Sequence, residues 1–263
     1  MRHNLGKAAD HFGLAVVDEP VFGWRLRSIG ANTAGSQGGR WLRVVSEEPR
    51  WAMGYAWTGN LDANVVVDVA KPRVLDVFEW PEGDWRQQRA EVMTLIPGAP
   101  CSRGDVLRTS PNLSDAWWAD LRRSLDTIAR TATDRSHADQ GRVVERIHGR
   151  FGESVDATVT RSATVHGDLH WSNLMRPRFG VLDWELWGRG PEGMAAATLL
   201  CYSLLEPSVA ATVQTLFADV LDTPTGRVAQ LYVVARLLRR VDGGDHPDLA
   251  APLVRHAKNL LDP

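Results

Sequence analysis

The chain is poor in cysteine. Cys101 and Cys201 are its only two, far apart and without metal-type spacing, so neither a disulfide framework nor a zinc ribbon is indicated. This usage predicts a reducing, cytoplasmic setting. Long apolar runs are missing too: none approaches the roughly 18 residues needed to cross a bilayer. The opening MRHNLGKAADHFGLAVVDEP has neither the unbroken apolar core nor the small-residue cleavage site of a signal peptide. An excess of charge is also lacking. With 30 Lys and Arg against 32 Asp and Glu, the net charge of −2 gives no electrostatic ground for a nucleic-acid or membrane partner. There is no internal repeat and no low-complexity tract.

What is present is material for a core. Of 263 residues, 44% are hydrophobic, enough for one large domain or two small lobes and too many for a disordered chain. The 11 tryptophans read first as core or pocket wall.

Apolar positions at Leu5, Ala8, Phe12 and Val16 predict a short helix over about residues 5–17. From Trp24 the texture becomes short apolar runs between turn formers: WRLRSIG, the flexible NTAGSQGGR, RWLRVV, NVVVDV, then VLDVFEW and EVMTLIPGAP. This predicts a small strand-rich lobe ending at a hinge near residues 91–100, where Pro97, Gly98 and Pro100 cluster. Helices follow. Ser114 is a good N-cap for a helix with Trp117, Leu121, Leu125 and Ile128 on one face. HADQGRVVERIHGRF and TPTGRVAQLYVVARLLRR predict two more, and GGDHPD a turn before the last. Strands first and helices second define an α+β chain, with an N-lobe over residues 1–95 and a C-lobe over residues 96–263.

One region carries chemistry: ATVHGDLHWSNLM, followed by FGVLDWELWGRG. Apolar flanks around a polar knot predict that His166 to Asn173 form a loop presenting Asp168 and Asn173. Val181 and Leu182 read as buried, with Asp183 at a strand end. Two carboxylates and an amide are the groups phosphoryl transfer calls for, because the phosphate charge is offset by magnesium, which prefers such oxygens. Asn173 and Asp183 suit the metal, and Asp168 suits the base that orients the acceptor hydroxyl.

His-Gly-Asp-Leu-His-Trp-Ser-Asn with a downstream Asp-Trp resembles the motifs of the aminoglycoside phosphotransferase and choline kinase-like group, relatives of the protein kinases. The resemblance is strong over residues 160–190 and textural elsewhere. It implies a protein-kinase-like fold of two lobes, a small strand-rich one and a larger helical one, with ATP (or another nucleoside triphosphate) and Mg2+ between them. It implies Asp168 as catalytic base, Asn173 and Asp183 as metal ligands, and His166 and His170 as supports of the loop. Backbone groups at Glu91 and Met93 would meet the adenine ring.

The chain also departs from the family's pattern. Where the family offers a lysine on its third strand, GGRWLRVV offers Arg43, which can grip phosphate bidentately in a reshaped pocket, and Lys71 in VAKP is the alternative cation. NTAGSQGGR is no recognisable glycine-rich motif, although its backbone amides could serve as a phosphate loop. The expected activity is transfer of the γ-phosphoryl group to a hydroxyl of a small molecule, aminoglycoside-like or an amino-alcohol. An alternative acceptor is Ser or Thr of a peptide in natural-product maturation, with a possible protein partner. Two rivals stand outside catalysis by kinase chemistry. One is a non-catalytic kinase-like binding protein, favoured by the missing lysine. The other is a zinc hydrolase, for which His166, Asp168 and His170 would need to share one side of a continuous strand.

Overall fold

The computed structural model describes residues 1–36 and 38–262; Gln37, within the NTAGSQGGR stretch, and Pro263 lie outside the described residues. Two compact units result, one of Met1–Val65 with Lys71–Pro97, the other of Val66–Ala70 with Gly98–Pro263.

In the first unit, α1 (Arg2–Phe12) is followed by β1 (Ala15–Val16), β2 (Val21–Phe22), β3 (Ser28–Ala34), β4 (Arg40–Glu47), α2 (Tyr55–Asp62), β5 (Val74–Glu82) and β6 (Arg86–Thr94). The strands form one antiparallel sheet in the order β1-β3-β4-β6-β5, with β2 also on β3. Alternation divides its faces. Leu42 and Val44 of β4 and Ala90 and Val92 of β6 join Ile29, Ala31 and Trp80 in a core closed by Leu5, Ala8 and Ala9 of α1. Trp41 and Arg43, and Arg89, Glu91 and Met93, therefore occupy the opposite face. Helix α1 stops short of the predicted Val16 because Gly13 adopts a left-handed conformation and returns its N–H to the last turn.

The NVVVDV run is not the strand its composition suggests. Ala63–Val65 form a single tight turn, Asp68 has φ +60°, and the Asn64 amide is engaged elsewhere: Nδ2 donates to the Val74 carbonyl at 2.8 Å and Oδ1 accepts the Val74 N–H at 3.1 Å. Similarly, WRLRSIG opens on a turn with Arg25 and Leu26 at positive φ, and its strand begins at Ser28.

The second unit contains β7 (Ala99–Pro100), α3 (Asp115–Arg130), α4 (Gln140–Phe151), β8 (Ser162–Val165), β9 (Met175–Arg176), β10 (Gly188–Pro191), α5 (Met194–Ser203), α6 (Pro207–Leu216), α7 (Ala218–Leu221), α8 (Pro224–Asp242) and α9 (Ala250–Leu261). Strand β7 pairs with β9 and β8 with β10. The predicted cap operates, Ser114 Oγ accepting the Trp117 N–H on α3, and the structure adds two more: Asp139 accepts the Arg142 N–H on α4, and Thr223 that of Gly226 on α8. Gly226 has no alternative, since a Cβ there would lie 1.9 Å from the Val220 carbonyl oxygen. Every residue of α5 is buried, which makes it the central helix, and α8 packs along it.

Candidate active site

The site in the second unit is built on the loop after β8. At Gly167 φ is +85° and an added Cβ would sit 2.2 Å from the Leu186 carbonyl oxygen, so the chain passes close against the downstream segment only because the residue is glycine. His166 ties the two together: it is fully buried, its Nε2 donates to the Leu182 carbonyl at 2.9 Å, and its ring meets Trp184 edge-on at 4.9 Å. Burial pushes its pKa down to about 4 against the opposing pull of Asp168, so the imidazole is neutral at pH 7.

Asn173 ends a single turn, Trp171–Asn173, and its Nδ2 donates to the Asp168 carbonyl at 3.0 Å. That bond fixes the amide with its oxygen as the remaining acceptor. The Leu182 N–H donates to the Asn173 carbonyl at 2.8 Å and Leu174 bridges Val181, which sets Asp183 alongside. Val181 is buried as expected, whereas Leu182 is half-buried. Asp183 is exposed with φ +57°, a left-handed conformation that aspartate tolerates better than most residues and that often marks function.

Asp168 Oδ2 lies 3.6 Å from His170 Nε2, and its Oδ1 lies 3.7 Å from Arg236 Nη2. Burial alone would raise its pKa, but the interactions with His170 and Arg236 outweigh this and hold the carboxyl well below the usual range. Asp168 is thus ionised at neutral pH. The His170 pKa moves the other way: burial lowers it, but Asp168, Asp105 and Asp183 outweigh that and raise it.

Two neighbours join the loop, Arg236, which the sequence did not single out, and Asp105, which the sequence offered only as one of several scattered acidic candidates for the acceptor side. Arg236 on α8 donates from Nη1 to the Gly167 carbonyl at 3.0 Å, while its Nη2 is buried with no hydrogen-bond partner among the described residues. Its signal was a lone cation inside the apolar stripe YVVARLL. Asp105 faces Arg240 at 3.0 Å, His246 at 3.4 Å and His170 at 3.7 Å, so it is heavily compensated.

The zinc reading fails on this geometry. No strand runs through His166, Asp168 and His170, Nε2 of His166 is committed to a carbonyl, and among the described residues no three His, Cys, Asp or Glu are placed to hold a metal. Two oxygen donors, Asn173 and Asp183, fit magnesium instead, which needs only one or two protein carboxyl or amide oxygens when substrate phosphates complete its shell.

The other predicted residues lie in the first unit. Arg43 on β4 is 3.5 Å from Glu91 on β6, whose carboxylate also accepts from Arg89 Nε at 2.9 Å and Asn60 Nδ2 at 2.9 Å. Glu91 and Met93 are not at a hinge. Both lie within β6, paired with β4 on one side and β5 on the other, so their backbone groups belong to the sheet, and the first residue beyond the strand is Leu95. Both side chains are buried. Lys71 is buried off the sheet, with Nζ 3.3 Å from the Pro72 carbonyl, and burial pushes its pKa down to about 8. Of the described residues of the NTAGSQGGR stretch, Asn32 to Ala34 end β3, Arg40 begins β4, and the Gly38 N–H meets the Gly35 carbonyl at 3.1 Å.

An antiparallel-sheet unit followed by a helical unit, with an Asp-to-Asn loop and a later aspartate, defines a protein-kinase-like α+β fold of two lobes. The chain belongs to the phosphotransferase enzyme family, whose model matches residues 52–232. Among solved structures it is similar to the aminoglycoside phosphotransferase APH(4)-Ia, at 15% identity, a TM-score of 0.69 and coverage of 99% of this chain and 98% of that one. It is also similar to an amicoumacin kinase in complex with AMP-PNP, Ca2+ and its antibiotic (14% identity, TM-score 0.61, coverage 99% and 93%). A spectinomycin phosphotransferase in complex with ADP and spectinomycin aligns over 100% and 94% at 9% identity and a TM-score of 0.59. No curated protein sequence matches the chain.

Proposed function

We propose that the chain transfers the γ-phosphoryl group of magnesium-bound ATP to a hydroxyl of a small molecule. The observation that carries the proposal is the convergence of Asp168, Asn173 and Asp183, produced by the His166–Leu182 and Leu182–Asn173 hydrogen bonds. Asn173 and Asp183 would hold magnesium, which when bound neutralises phosphate charge. Asp168, ionised and held by His170 and Arg236, orients the acceptor hydroxyl and accepts its proton. His166 keeps the loop in register by its bond to Leu182, and Arg43 is the nucleotide-binding cation. The similar structures with AMP-PNP or ADP bound support the choice of nucleotide.

The acceptor side favours a neutral or singly charged molecule. A polycation would need free carboxylates near Asp168, and Asp105, which shares His170 with it, already faces Arg240, His246 and His170. The test is acceptor-dependent ADP release with magnesium ATP over a panel of spectinomycin, amicoumacin, choline and hygromycin B. Nucleotide that neither binds nor turns over would overturn the proposal.

A further inference from the structure

Asp183 has a left-handed backbone although it is not glycine, and such a conformation persists only where its surroundings over-determine it. Upstream, Leu182 is held at both ends of its peptide unit, its N–H on the Asn173 carbonyl at 2.8 Å and its own carbonyl under His166 at 2.9 Å. Downstream, the chain is gripped at three successive carbonyls by side chains from the connection between α3 and α4. Arg135 Nη2 donates to the Glu185 carbonyl at 3.1 Å, His137 Nδ1 to the Leu186 carbonyl at 2.8 Å, and Arg135 Nε to the Trp187 carbonyl at 3.1 Å. The backbone of the same connection extends the grip. The Arg189 N–H donates to the Arg135 carbonyl at 2.7 Å, and the His137 N–H to the Arg189 carbonyl at 2.9 Å.

Arg135 is 3% exposed, with its guanidinium 5.0 Å over the Trp187 ring. A guanidinium is a rigid fork of donors, so the two carbonyls on it are fixed relative to one another. Burial pushes the His137 pKa down to about 3, so the ring is neutral, and the carbonyl facing Nδ1 fixes its single proton there. The same nitrogen would lie 2.7 Å from a Cβ on Gly167, so the ring also stands against the loop that carries Asp168. Buried carbonyls need donors wherever they lie. Here the donors come from 49 to 52 residues away in sequence, and they take hold at the second residue after Asp183.

The geometry points to Arg135 and His137 as positioning residues for Asp183: by holding the carbonyls of residues 185–187, they keep Asp183 in the backbone conformation that presents its carboxylate to magnesium. They act through the chain, with the two hydrogen bonds of Leu182 as the opposite anchor. The inference rests on the metal assignment above and deepens it.

The test is magnesium-ATP affinity by calorimetry for the wild type, Arg135→Ala, His137→Leu, His137→Asn, Asp183→Ala and the His137→Leu/Asp183→Ala pair. The melting temperature of each free protein, and the magnesium concentration that half-saturates its ATP-induced melting shift, are followed in parallel. Arg135→Ala should weaken binding about tenfold and raise the half-saturating magnesium in step, the scale of a charge-assisted contact. His137→Leu should weaken it about threefold, the scale of one neutral hydrogen bond. His137→Asn keeps an N–H donor and should stay close to wild type. His137→Leu should cost nothing further in the Asp183→Ala background, because it acts only through Asp183. If Arg135→Ala fails to fold, the His137 variants carry the test. Wild-type affinity in His137→Leu or in a folded Arg135→Ala, even at a lower melting temperature, would make the contacts purely structural and overturn the inference while phosphotransfer stands. An equal loss in His137→Asn and His137→Leu, or additive losses in the pair, would also overturn it. A wild type that binds no magnesium ATP would overturn both readings.

Discussion

Asp168 is the residue on which transfer, as distinct from binding, should depend. Its side chain touches His170 and Arg236, and neither of those contacts is a route by which nucleotide would be held. Asp168→Ala is expected to lower turnover by roughly 10² to 10⁴, the usual worth of a positioned base, with nucleotide affinity close to wild type. Asp183→Ala should behave in the opposite sense, weakening magnesium-nucleotide binding before chemistry begins. Parallel turnover and calorimetry on both variants separate the two roles, and wild-type turnover in the first or wild-type affinity in the second would refute the respective assignment. His166 makes a prediction of a different kind. Its pKa is about 4 in the folded chain against the ordinary histidine value of 6.5, so between those pH values the unfolded chain binds a proton that the folded chain does not. Stability must therefore fall as pH drops through that window, by at most about 3 kcal/mol from this group. His137, lowered to about 3 chiefly by burial, adds to the slope over the same window and continues it below pH 4. Urea midpoints from pH 7 to 4.5 should fall less steeply for His166→Asn than for the wild type, and parallel curves would remove His166 as a contributor.

Among elements, α3 is where sequence and structure meet most directly. The cap residue, the stripe and the helix length all derive from neighbours within a few turns, so Ser114→Ala should cost about 1 kcal/mol in urea unfolding with an unchanged slope, and leave turnover unaffected. A larger loss with a changed slope would mean that Ser114 holds more than its own helix. The same locality made the helical stripe of α8 legible. Elements whose form is decided at a distance were not. NVVVDV has strand composition, but Asn64 gives its amide to Val74 ten residues on. Helix α5 is buried on every side, which removes the periodic contrast that would announce it. The candidate site divides along the same line. Asp168, Asn173 and Asp183 lie within one short stretch and could be read from it, whereas Arg236 reaches that loop from α8, and Arg89 and Asn60 converge on Glu91 from separate elements. Glu91 was picked out as a hinge residue, and the two-sided pairing of β6 shows why that position was misjudged: a turn signal at Pro97 was read as beginning several residues before the strand ends.

At the scale of the whole molecule, a kinase-like fold persists at 15% identity to APH(4)-Ia because burial pattern and chain order, more than residue identity, are what the fold requires. Activity is a narrower matter, and ligand linkage tests it without knowledge of the acceptor. A ligand that binds only the folded chain, at a hundredfold excess over its dissociation constant, stabilises it by about 2.7 kcal/mol. For a chain of this size that corresponds to a rise in melting temperature of roughly 5 to 10 °C. Magnesium with ATP should produce such a shift, and ATP with EDTA should produce little, since Asn173 and Asp183 would then face unshielded phosphate with an acceptor amide and a carboxylate. Zinc alone should give none, because His166 is committed to the Leu182 carbonyl and His170 to the carboxylates around it. Stabilisation by zinc but not by magnesium ATP would return the chain to metal-hydrolase chemistry. Equal stabilisation by ATP with and without magnesium would detach the nucleotide from Asp183, and with it the assignment of the two donors.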